Sequence, residues 1–445
     1  MTYVRSLALP LVAVVLVVLA SLVPEDEQSP RRPTAAAITQ TTYACPTGSA
    51  IEVAAGQVEA GTSASATVLP DGTAEDGLAD SSTWRTQRVA GQGVIVQQQG
   101  RGSGAVGYFS GTAPTAGGGG LVVGQCPGVV DDSWLLGLGS GEKHLSTLIL
   151  TNLEDTPAVA DLTLWGAQGR IEAVDARGIV VEPRSVLRIP VADLAAGESE
   201  LAVQVHRRRG SLSAVANDSA TGSFRGTEPI SATATPRRVQ VVSGLVEGTE
   251  GRTLLILNPG TATARVGVEV IGPKSTFTPS GLGKVRVRAG SVKAVTVPKS
   301  AGPDEQALRL TSDRPVSATV RMSPGSKDYA YAEAAPALTG PAVVPIDLGT
   351  ELDDPTLVLS APGRAASVEV VTYAADMARL SSTRIAVAAG TTETVTLKGR
   401  AAYAVLHPRG RVTGAVTYTR GGGLSSLVLG AAPRTALAPH VQPLG

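Results

Sequence analysis

The chain has 445 residues, enough for three or four domains of about 100 to 150 residues each. Its 38 basic and 38 acidic residues give zero net charge, which excludes the electrostatic attraction that nonspecific nucleic-acid binding depends on. Aromatic residues make up only 3% of the chain, while 51 Gly and 29 Pro favour short strands and turns over long helices. Two Cys and four scattered His are too few for a zinc or haem site of ordinary ligand spacing.

The N-terminus combines a basic residue, an apolar run and a group of acids. Arg5 precedes the uncharged run 7–23, and three acidic residues follow at 25–27. This order of charges predicts that the N-terminus lies in the cytoplasm and the body of the protein outside it. Residues 1–24 are predicted to be either a cleaved signal peptide or an uncleaved single-pass anchor, because a run of about seventeen apolar residues is compatible with both. The body is then either secreted or held at the cell membrane through residues 7–23.

The segment after the apolar run predicts an exported, tethered protein. Residues 25–42 have no hydrophobic period and carry Pro30 and Pro33, which indicates a flexible linker. Export to an oxidising compartment would allow Cys45 and Cys126 to pair. We therefore expect a disulfide between them; the alternative is two buried free thiols.

Three segments of the chain repeat the same features in the same order. Each has an apolar strand running into a turn, then a strand of alternating hydrophobicity, a hairpin-like turn with a hydroxyl residue, and a closing strand. The apolar strands are 148–152, 254–260 and 357–363, the turns are 181–186, 287–292 and 387–392, and the closing strands are 212–215, 316–319 and 412–415. We expect Val181, Val287 and Val387 to occupy equivalent buried positions.

The repeat predicts an array of β modules with little helix. A divergent first copy is indicated because residues 104–108 are similar to 414–418. The predicted modules are 43–135, which holds the disulfide, and then 136–236, 237–340 and 341–445. Six or seven short strands per module are typical of an immunoglobulin-like antiparallel sandwich. The predicted fold class is all-β, with tandem sandwiches after an N-terminal helix; the alternative is a β-propeller with two blades per module.

None of the residue patterns that catalysis or metal binding requires stands out. Asp131-Asp132 and Asp353-Asp354 are adjacent acids in predicted turns, but no Asp-x-Asp-x-Asp-Gly calcium loop accompanies them. No nucleophile elbow in a strand-to-helix setting and no phosphate-binding glycine loop is recognisable. We therefore predict a protein that is not an enzyme, with no catalytic residues, no metal ligands and no cofactor.

One basic cluster is a candidate surface contact. Arg207, Arg208 and Arg209 lie between two predicted strands. Three arginines at a hairpin tip could contact lipid headgroups or an anionic wall polymer, at about 1 kcal/mol per charge; the alternative is a solvated turn. Single tryptophans in strands are more typical of core positions than of sugar-stacking sites. The chain has three of them: Trp84, Trp134 and Trp165.

Several short motifs carry a family resemblance. A Cys-Pro step at 126–127, Trp-Leu-Leu-Gly at 134–137, Leu-Ile-Leu-Thr-Asn at 148–152 and Trp-Gly-Ala-Gln-Gly at 165–169 occur in this order, and Gly-Thr-Glu-Pro at 226–229 and Leu-Asn-Pro-Gly at 257–260 follow. This pattern resembles domain of unknown function 5719, an actinobacterial family of large secreted or membrane-anchored envelope proteins, over nearly the whole chain after residue 42. The family supplies no catalytic residues. The resemblance implies an envelope protein with a link to surface glycan or glycoprotein biogenesis.

These observations lead to a functional expectation and its alternatives. We expect a non-enzymatic cell-envelope protein whose sandwiches present surfaces to another envelope protein or to a surface glycan, with no nucleic-acid partner. The main alternative is a carbohydrate-active enzyme or its binding module, which would need paired carboxylates about 5 to 10 Å apart in a cleft; a structural stalk or adhesin is a third. A groove lined by acids and Trp would favour the enzyme, whereas a broad apolar surface would favour a protein partner.

Overall fold

The computed structural model describes residues 33–47, 51–113, 120–222, 224–246, 248–249, 251–302, 306–323 and 328–438. Strands make up 59% of the structure and helix 3%, so the prediction of an all-β protein with little helix is confirmed. The described helical segments are one α-helical turn, α1 (Val191–Leu194), and three 3-10 turns, Asp76–Leu78, Val174–Ala176 and Lys299–Ala301. None of the described helices is long and apolar enough to span a membrane.

The chain divides into two compact units, and the smaller one joins residues 1–37 to residues 435–445. Its described part is a two-stranded antiparallel sheet, β1 (Thr34–Ala37) with β35 (Thr435–Ala438). The predicted linker 25–42 therefore contains a paired strand from Thr34 onward, which differs from a wholly flexible tether. The predicted signal or anchor segment, residues 1–24, lies outside the described residues.

The larger unit, residues 38–434, holds all other described strands, arranged as four pairs of antiparallel sheet layers. In the third pair the two layers share the long strand Ala307–Ser323 and so form a single eight-stranded sheet. The strands of the first pair are β2 (Gln40–Pro46), β3 (Ile51–Gln57), β4 (Ser63–Leu69), β5 (Arg85–Val89), β6 (Gly93–Gln99), β7 (Ala105–Ala113) and β8 (Gly120–Gln125). Those of the second are β9 (Asp132–Leu138), β10 (Ser140–Gly141), β11 (His144–Asn152), β12 (Ala158–Trp165), β13 (Arg170–Ile171), β14 (Ile179–Val181), β15 (Val186–Pro190), β16 (Leu201–Arg209), β17 (Leu212–Thr221) and β18 (Arg225–Ile230).

The third and fourth pairs follow along the chain. The strands of the third are β19 (Arg237–Ser243), β20 (Gly251–Asn258), β21 (Ala264–Ile271), β22 (Thr276–Phe277), β23 (Val285–Val287), β24 (Ser291–Thr296), β25 (Ala307–Ser323) and β26 (Ala330–Glu333). Those of the fourth are β27 (Ala342–Pro345), β28 (Thr356–Ala361), β29 (Ala366–Tyr373), β30 (Arg379–Val387), β31 (Thr391–Thr396), β32 (Tyr403–Arg409), β33 (Thr413–Arg420) and β34 (Gly423–Leu429). The second pair starts with β9, a few residues before the predicted boundary at 136.

One strand order recurs in every pair. In the fourth pair the two sheets have the orders β27-β32-β29-β30 and β31-β28-β33-β34, and the second and third pairs follow the same scheme. The first pair, β2-β6-β4 with β5-β3-β7-β8, lacks only the counterpart of β30. A propeller blade would pair consecutive strands, whereas most neighbours here are not consecutive. Each pair is therefore a sandwich rather than two blades.

Each sandwich buries its own apolar face. In the second, β12 alternates buried and partly exposed residues, and its buried Leu162 and Leu164 share a core with Leu148 of β11 and Val203 of β16. This period of two is what one solvated and one covered sheet face require. Burying one such side chain stabilises the fold by about 1.5 to 3 kcal/mol, so the repeated apolar strands account for the repeated sandwich.

The three repeat valines occupy one structural position. They are at most 1% exposed, and each is paired with the first residue of the neighbouring strand, which confirms the prediction. The pairs are Val181 with Ala158, Val287 with Ala264, and Val387 with Ala366. The turn that follows each valine is not a hairpin, however. In the second sandwich β14 pairs with β12 while β15 pairs with β11, so the turn carries the chain from one sheet to the other.

The four sandwiches contact one another in a closed cycle. Backbone carbonyls at each junction accept a hydrogen bond from the neighbouring sandwich. These bonds run from Arg188 Nη2 to Gln92 O (3.0 Å), from Val292 N to Gly166 O (3.0 Å), from Thr392 N to Gly272 O (3.0 Å) and from Trp84 N to Ala375 O (2.7 Å). The last of them joins the first sandwich to the fourth, so the cycle is complete. The final strands of the four sandwiches are β8, β18, β26 and β34, and we call them the terminal strands.

Candidate functional site

The predicted disulfide is present in the first sandwich. Cys45, in β2, is bonded to Cys126, which directly follows β8, and both residues are buried. The bond links the first strand to the residue that follows the last strand, in the sandwich that has the fewest described strands. With a sequence separation of 81 residues, it removes chain entropy worth about 4 kcal/mol from the unfolded state.

The arginine cluster is largely paired with acids. Arg207 forms an ion pair with Asp131, and Arg208 Nη1 lies 2.8 Å from Asp161 Oδ2. Arg209 lines a shallow surface depression beside the Arg208–Asp161 pair. Two of the three positive charges are therefore offset by neighbouring carboxylates, which weakens the attraction that this cluster would exert on an anionic surface.

The adjacent acids do not form carboxylate clusters. Asp132 Oδ1 lies 2.9 Å from His206 Nδ1, and Asp353 accepts a hydrogen bond of 2.8 Å from the Thr419 hydroxyl. Asp354 is exposed. Within the described ranges no group of three or more His, Cys, Asp or Glu side chains is arranged to hold a metal ion. Asp131, Asp353 and Asp354 lie outside strands, whereas Asp132 is the first residue of β9 rather than part of a turn.

The tryptophans lie in or against the core. Trp84 is 3% exposed and stacks on Tyr403 of the fourth sandwich with a centroid distance of 5.0 Å. Its indole Nε1 donates a hydrogen bond of 2.8 Å to the carbonyl of Asp347. Trp165 is also buried and stacks on Trp134 at 5.5 Å. The core interpretation is confirmed for Trp84 and Trp165, and Trp84 additionally fastens the first sandwich to the fourth.

The residues that sequence reasoning missed are acids buried where the terminal strands meet. Each of the four is at most 3% exposed. They are Asp218, Glu228, Asp328 and Glu333, and we call them the buried acids. The sequence signal was available but weak: in the run Ala-Tyr-Ala-Glu of β26 and in Glu-Pro-Ile of β18 the acid stands among apolar neighbours, as buried residues do.

Asp328 joins three sandwiches through backbone N–H groups. Its Oδ2 accepts hydrogen bonds from Leu121 N of the first sandwich (3.0 Å) and from Leu424 N of the fourth (2.9 Å), while Asp328 itself belongs to the third. Burial raises the pKa of Asp328 to about 6, and these N–H donors counteract part of that effect. Gly226 of the second sandwich lies so close that a Cβ atom there would be 2.6 Å from Asp328 Oδ1.

Two further acids are kept neutral by burial. Glu228 accepts a 2.6 Å hydrogen bond from the Ser425 hydroxyl, and burial together with the nearby Asp328 carboxyl holds the pKa of Glu228 well above its usual value. Burial also raises the pKa of Glu333 to about 8, and Glu333 Oε1 accepts a hydrogen bond of 3.2 Å from Ser231 N. Both contacts cross between sandwiches. Neutral carboxyls of this kind act as hydrogen-bonding joints.

Asp218 is the centre of a polar network between the second and third sandwiches. Its Oδ2 accepts hydrogen bonds from the hydroxyls of Tyr329 (2.8 Å) and Tyr331 (2.9 Å) and lies 3.0 Å from His144 Nε2. Burial disfavours a charged imidazole, but the hydrogen bond and charge of Asp218 outweigh it and raise the pKa of His144. Asp218 and both tyrosines are almost completely buried among the described residues.

A solvent-facing groove lies between the first and second sandwiches. It has a volume of about 390 Å³, within the range of small-molecule sites. Its walls combine apolar side chains such as Phe109 and Ile149 with the polar side chains of Asn217 and Thr227 and one guanidinium, that of Arg188. No acidic residue and no Trp is among the described residues that line it. The described lining combines apolar surface with a few polar groups, as ligand-binding grooves do.

Comparison with known proteins gives one result that covers most of the chain. A search of curated proteins found no match. The model of a family of unknown function, DUF5719, matches residues 53–398, from β3 of the first sandwich to just past β31 of the fourth. This match spans more than half of the chain, and the chain therefore belongs to the DUF5719 family.

Proposed function

We propose that this protein is a non-enzymatic component of the cell envelope that presents the surfaces of its four sandwiches, in fixed relative positions, to another envelope protein or to a surface glycan. The apolar run at 7–23 and the disulfide support a place outside the cytoplasm. The family resemblance supports a role connected with surface glycan or glycoprotein biogenesis.

The observation that carries the proposal is the joint at Asp328. One oxygen of this carboxyl accepts hydrogen bonds from N–H groups of two other sandwiches, and Gly226 of the remaining sandwich lies close to the other oxygen. Modules on flexible linkers would need no such joint, because each could bury its core alone. A buried, hydrogen-bonded contact of this kind fixes the positions of the sandwiches relative to one another. Surfaces on different sandwiches can then bind one partner at the same time.

Photo-crosslinking in intact cells tests this function. A photoreactive residue replaces one exposed apolar side chain at a time, at Val174 (95% exposed), Val239 (52%) or Leu380 (53%). Asp71, an exposed polar position in the first sandwich, serves as the control for chance collisions. We expect repeated capture of the same envelope protein or glycan from at least one apolar position and not from Asp71.

A second measurement separates binding from catalysis. The purified protein is incubated with cell-wall polysaccharide, and new reducing ends are counted over time. A frame that only presents surfaces releases none. Release of reducing ends that disappears when a single carboxylate is replaced by its amide would overturn the proposal in favour of a glycoside hydrolase.

A further inference from the structure

The groove between the first and second sandwiches has one wall built by strand register. Arg188 in β15 is paired with Ile149 in β11, and Ile149 is paired with Val215 in β17. Two residues further along β17, on the same face, is Asn217, which is paired with Pro229 of β18. Side chains two apart or directly opposite share a sheet face. These side chains therefore form one continuous row along the wall, from the guanidinium of Arg188 to the amide of Asn217.

The opposite wall belongs to the first sandwich and is mainly apolar. Gly111 of β7 is paired with Val122 of β8, and Phe109 lies two residues before Gly111 on the same face. A Cβ atom added at Gly111 would make only an ordinary contact of 3.6 Å with Ile51. Glycine therefore leaves space at this point that a larger side chain would fill.

Arg188 is a cation without a counter-ion. One of its N–H groups donates to Gln92 O at 3.0 Å, and a guanidinium has five such donors. No carboxylate pairs with it anywhere in the described part of the chain, in contrast to Arg207 and Arg208. Partial burial lowers the pKa of Arg188, as expected for a charge that water solvates incompletely. A carboxylate ligand would supply the missing partner in bidentate geometry.

The groups around Arg188 match sugar hydroxyls. The side chains of Asn217 and Thr227 line the groove, and neither makes a hydrogen bond to another described residue. Amide and hydroxyl groups donate and accept, as sugar hydroxyls do. Ile51 and Val122, which are partly exposed, add apolar surface for the C–H face of a ring.

We propose that this groove binds a saccharide chain carrying a carboxylate, with the acid on Arg188 and hydroxyls on Asn217 and Thr227. The inference rests on the proposed function and names the ligand class for one of its surfaces. A volume of about 390 Å³ limits the bound part to a few sugar rings at most.

Calorimetry on the full-length protein tests the assignment. The probes are trisaccharides containing glucuronate or galacturonate, and each is compared with its carboxyl-reduced counterpart, which differs only in charge. We expect the acidic form of at least one pair to bind tenfold or more tighter, about the effect of one charge-assisted hydrogen bond. Equal affinity of both forms, or no binding of any acidic probe, would overturn the proposal.

Variants locate the site. Arg188→Gln should abolish the preference for the acidic form, Arg188→Lys should retain part of it, and Gly111→Val should weaken both forms by filling the groove. Arg208→Gln is the matched control, because that guanidinium is paired with Asp161 away from the groove. Binding that is unchanged in both Arg188→Gln and Gly111→Val would exclude this groove. Tri-glutamate that binds as tightly as the acidic trisaccharide would show that the groove recognises carboxylates in general and would overturn the saccharide assignment.

The two proposals fail in distinguishable ways. If no acidic trisaccharide binds while crosslinking still captures an envelope partner, the groove assignment falls and the proposed function stands. If a bound trisaccharide is cleaved, the groove assignment stands and the non-enzymatic function falls.

Discussion

Asn152 and Asn258 make the same hydrogen bonds at the same place in two successive sandwiches. Each is fully buried, and its Nδ2 donates to three backbone carbonyls, at 2.8 to 3.0 Å for Asn152 and 2.8 to 3.1 Å for Asn258. The acceptors are Thr156, Val181 and Glu182 for Asn152, and Ala262, Val287 and Arg288 for Asn258. One side chain thus holds the end of an apolar strand against the turn that carries the chain between sheets.

Replacing Asn258 with Ala should destabilise the protein by about 2 to 4 kcal/mol, because three buried carbonyls lose their donor. Asn258→Asp should cost as much, since an ionised Asp supplies no N–H. Urea unfolding measures both changes. Asn217→Ala is the control, because Asn217 is exposed and should leave the free energy of unfolding unchanged. A loss below about 0.5 kcal/mol in Asn258→Ala would contradict this account.

Arg184 occupies a backbone conformation that glycine holds in the next two sandwiches. Its φ is 43°, and Gly290 and Gly390 at the equivalent turn position have φ values of 58° and 71°. A side chain costs about 1 kcal/mol in this region, so Arg184→Gly should raise the free energy of unfolding by roughly 0.5 to 1 kcal/mol. Arg184→Ala keeps the Cβ and loses the ion pair with Asp155, so it should bring no such gain. Equal effects of the two substitutions would argue against a backbone origin.

The buried acids should make the protein more stable in mild acid than at pH 8. The pKa of Glu333 rises from 4.5 to about 8 on folding, so the folded state binds more protons than the unfolded state between these values. Stability therefore falls as pH rises through that window, by roughly 4 kcal/mol at most for this group. The raised pKa values of Asp328, to about 6, and of His144 act in the same direction.

Urea unfolding of Glu333→Gln at pH 5 and pH 8 checks the sign. Gln resembles the protonated acid and keeps the acceptor for Ser231 N, so the difference between the two pH values should shrink. Glu182→Gln, at an exposed position, should retain the pH dependence of the parent protein. A parent protein that is more stable at pH 8 than at pH 5 would refute the assignment.

Gly226→Ala should disrupt the joint at Asp328. The added Cβ would lie 2.6 Å from Asp328 Oδ1, and the φ of Gly226 is 145°. Overpacking of this kind costs about 1 to 3 kcal/mol in addition to the backbone strain. Gly169→Ala is matched in backbone conformation, with a φ of 148°, but its Cβ would meet no atom within 4 Å. Thermal unfolding should show the larger loss in Gly226→Ala, and similar losses in both would mean that proximity to Asp328 is unimportant.

The four acids of the two Asp-Asp pairs should be dispensable for function. Asp131→Ala, Asp132→Ala, Asp353→Ala and Asp354→Ala, tested singly by genetic complementation, should remain active, because surface carboxylates contribute little to stability. Removal of residues 7–23 or of one whole sandwich should abolish activity, since it misplaces the protein or opens the cycle of contacts. If one of the four Ala variants folds and is exported but is inactive, the protein has a catalytic or metal-dependent role, and the proposed display of surfaces is wrong.

The sequence predicted those features of the fold that depend on residues within one module. The disulfide was predicted from the chain's two Cys and an expected place outside the cytoplasm, and the positions of Val181, Val287 and Val387 from a repeat of features in the modules. The pairing partner of the strand after each valine could not be predicted, because a turn that connects two sheets contains the same types of residue as a hairpin turn. The buried acids could not be predicted for a related reason. Ser425 covers Glu228, and nothing near either residue in the chain indicates which modules face each other.

The hydrogen bond between Trp84 and Ala375 joins the first sandwich to the fourth, so the cycle of contacts can close only after the fourth sandwich has been synthesised. A ribosome delivers the first three sandwiches before β34 exists, and during that interval Asp328 lacks the Leu424 N–H and Glu228 lacks the Ser425 hydroxyl. Neither carboxyl can have its full set of partners, and the cycle of contacts cannot close, before the fourth sandwich has been made. A product that stops short of the fourth sandwich would therefore leave these acids without those hydrogen bonds.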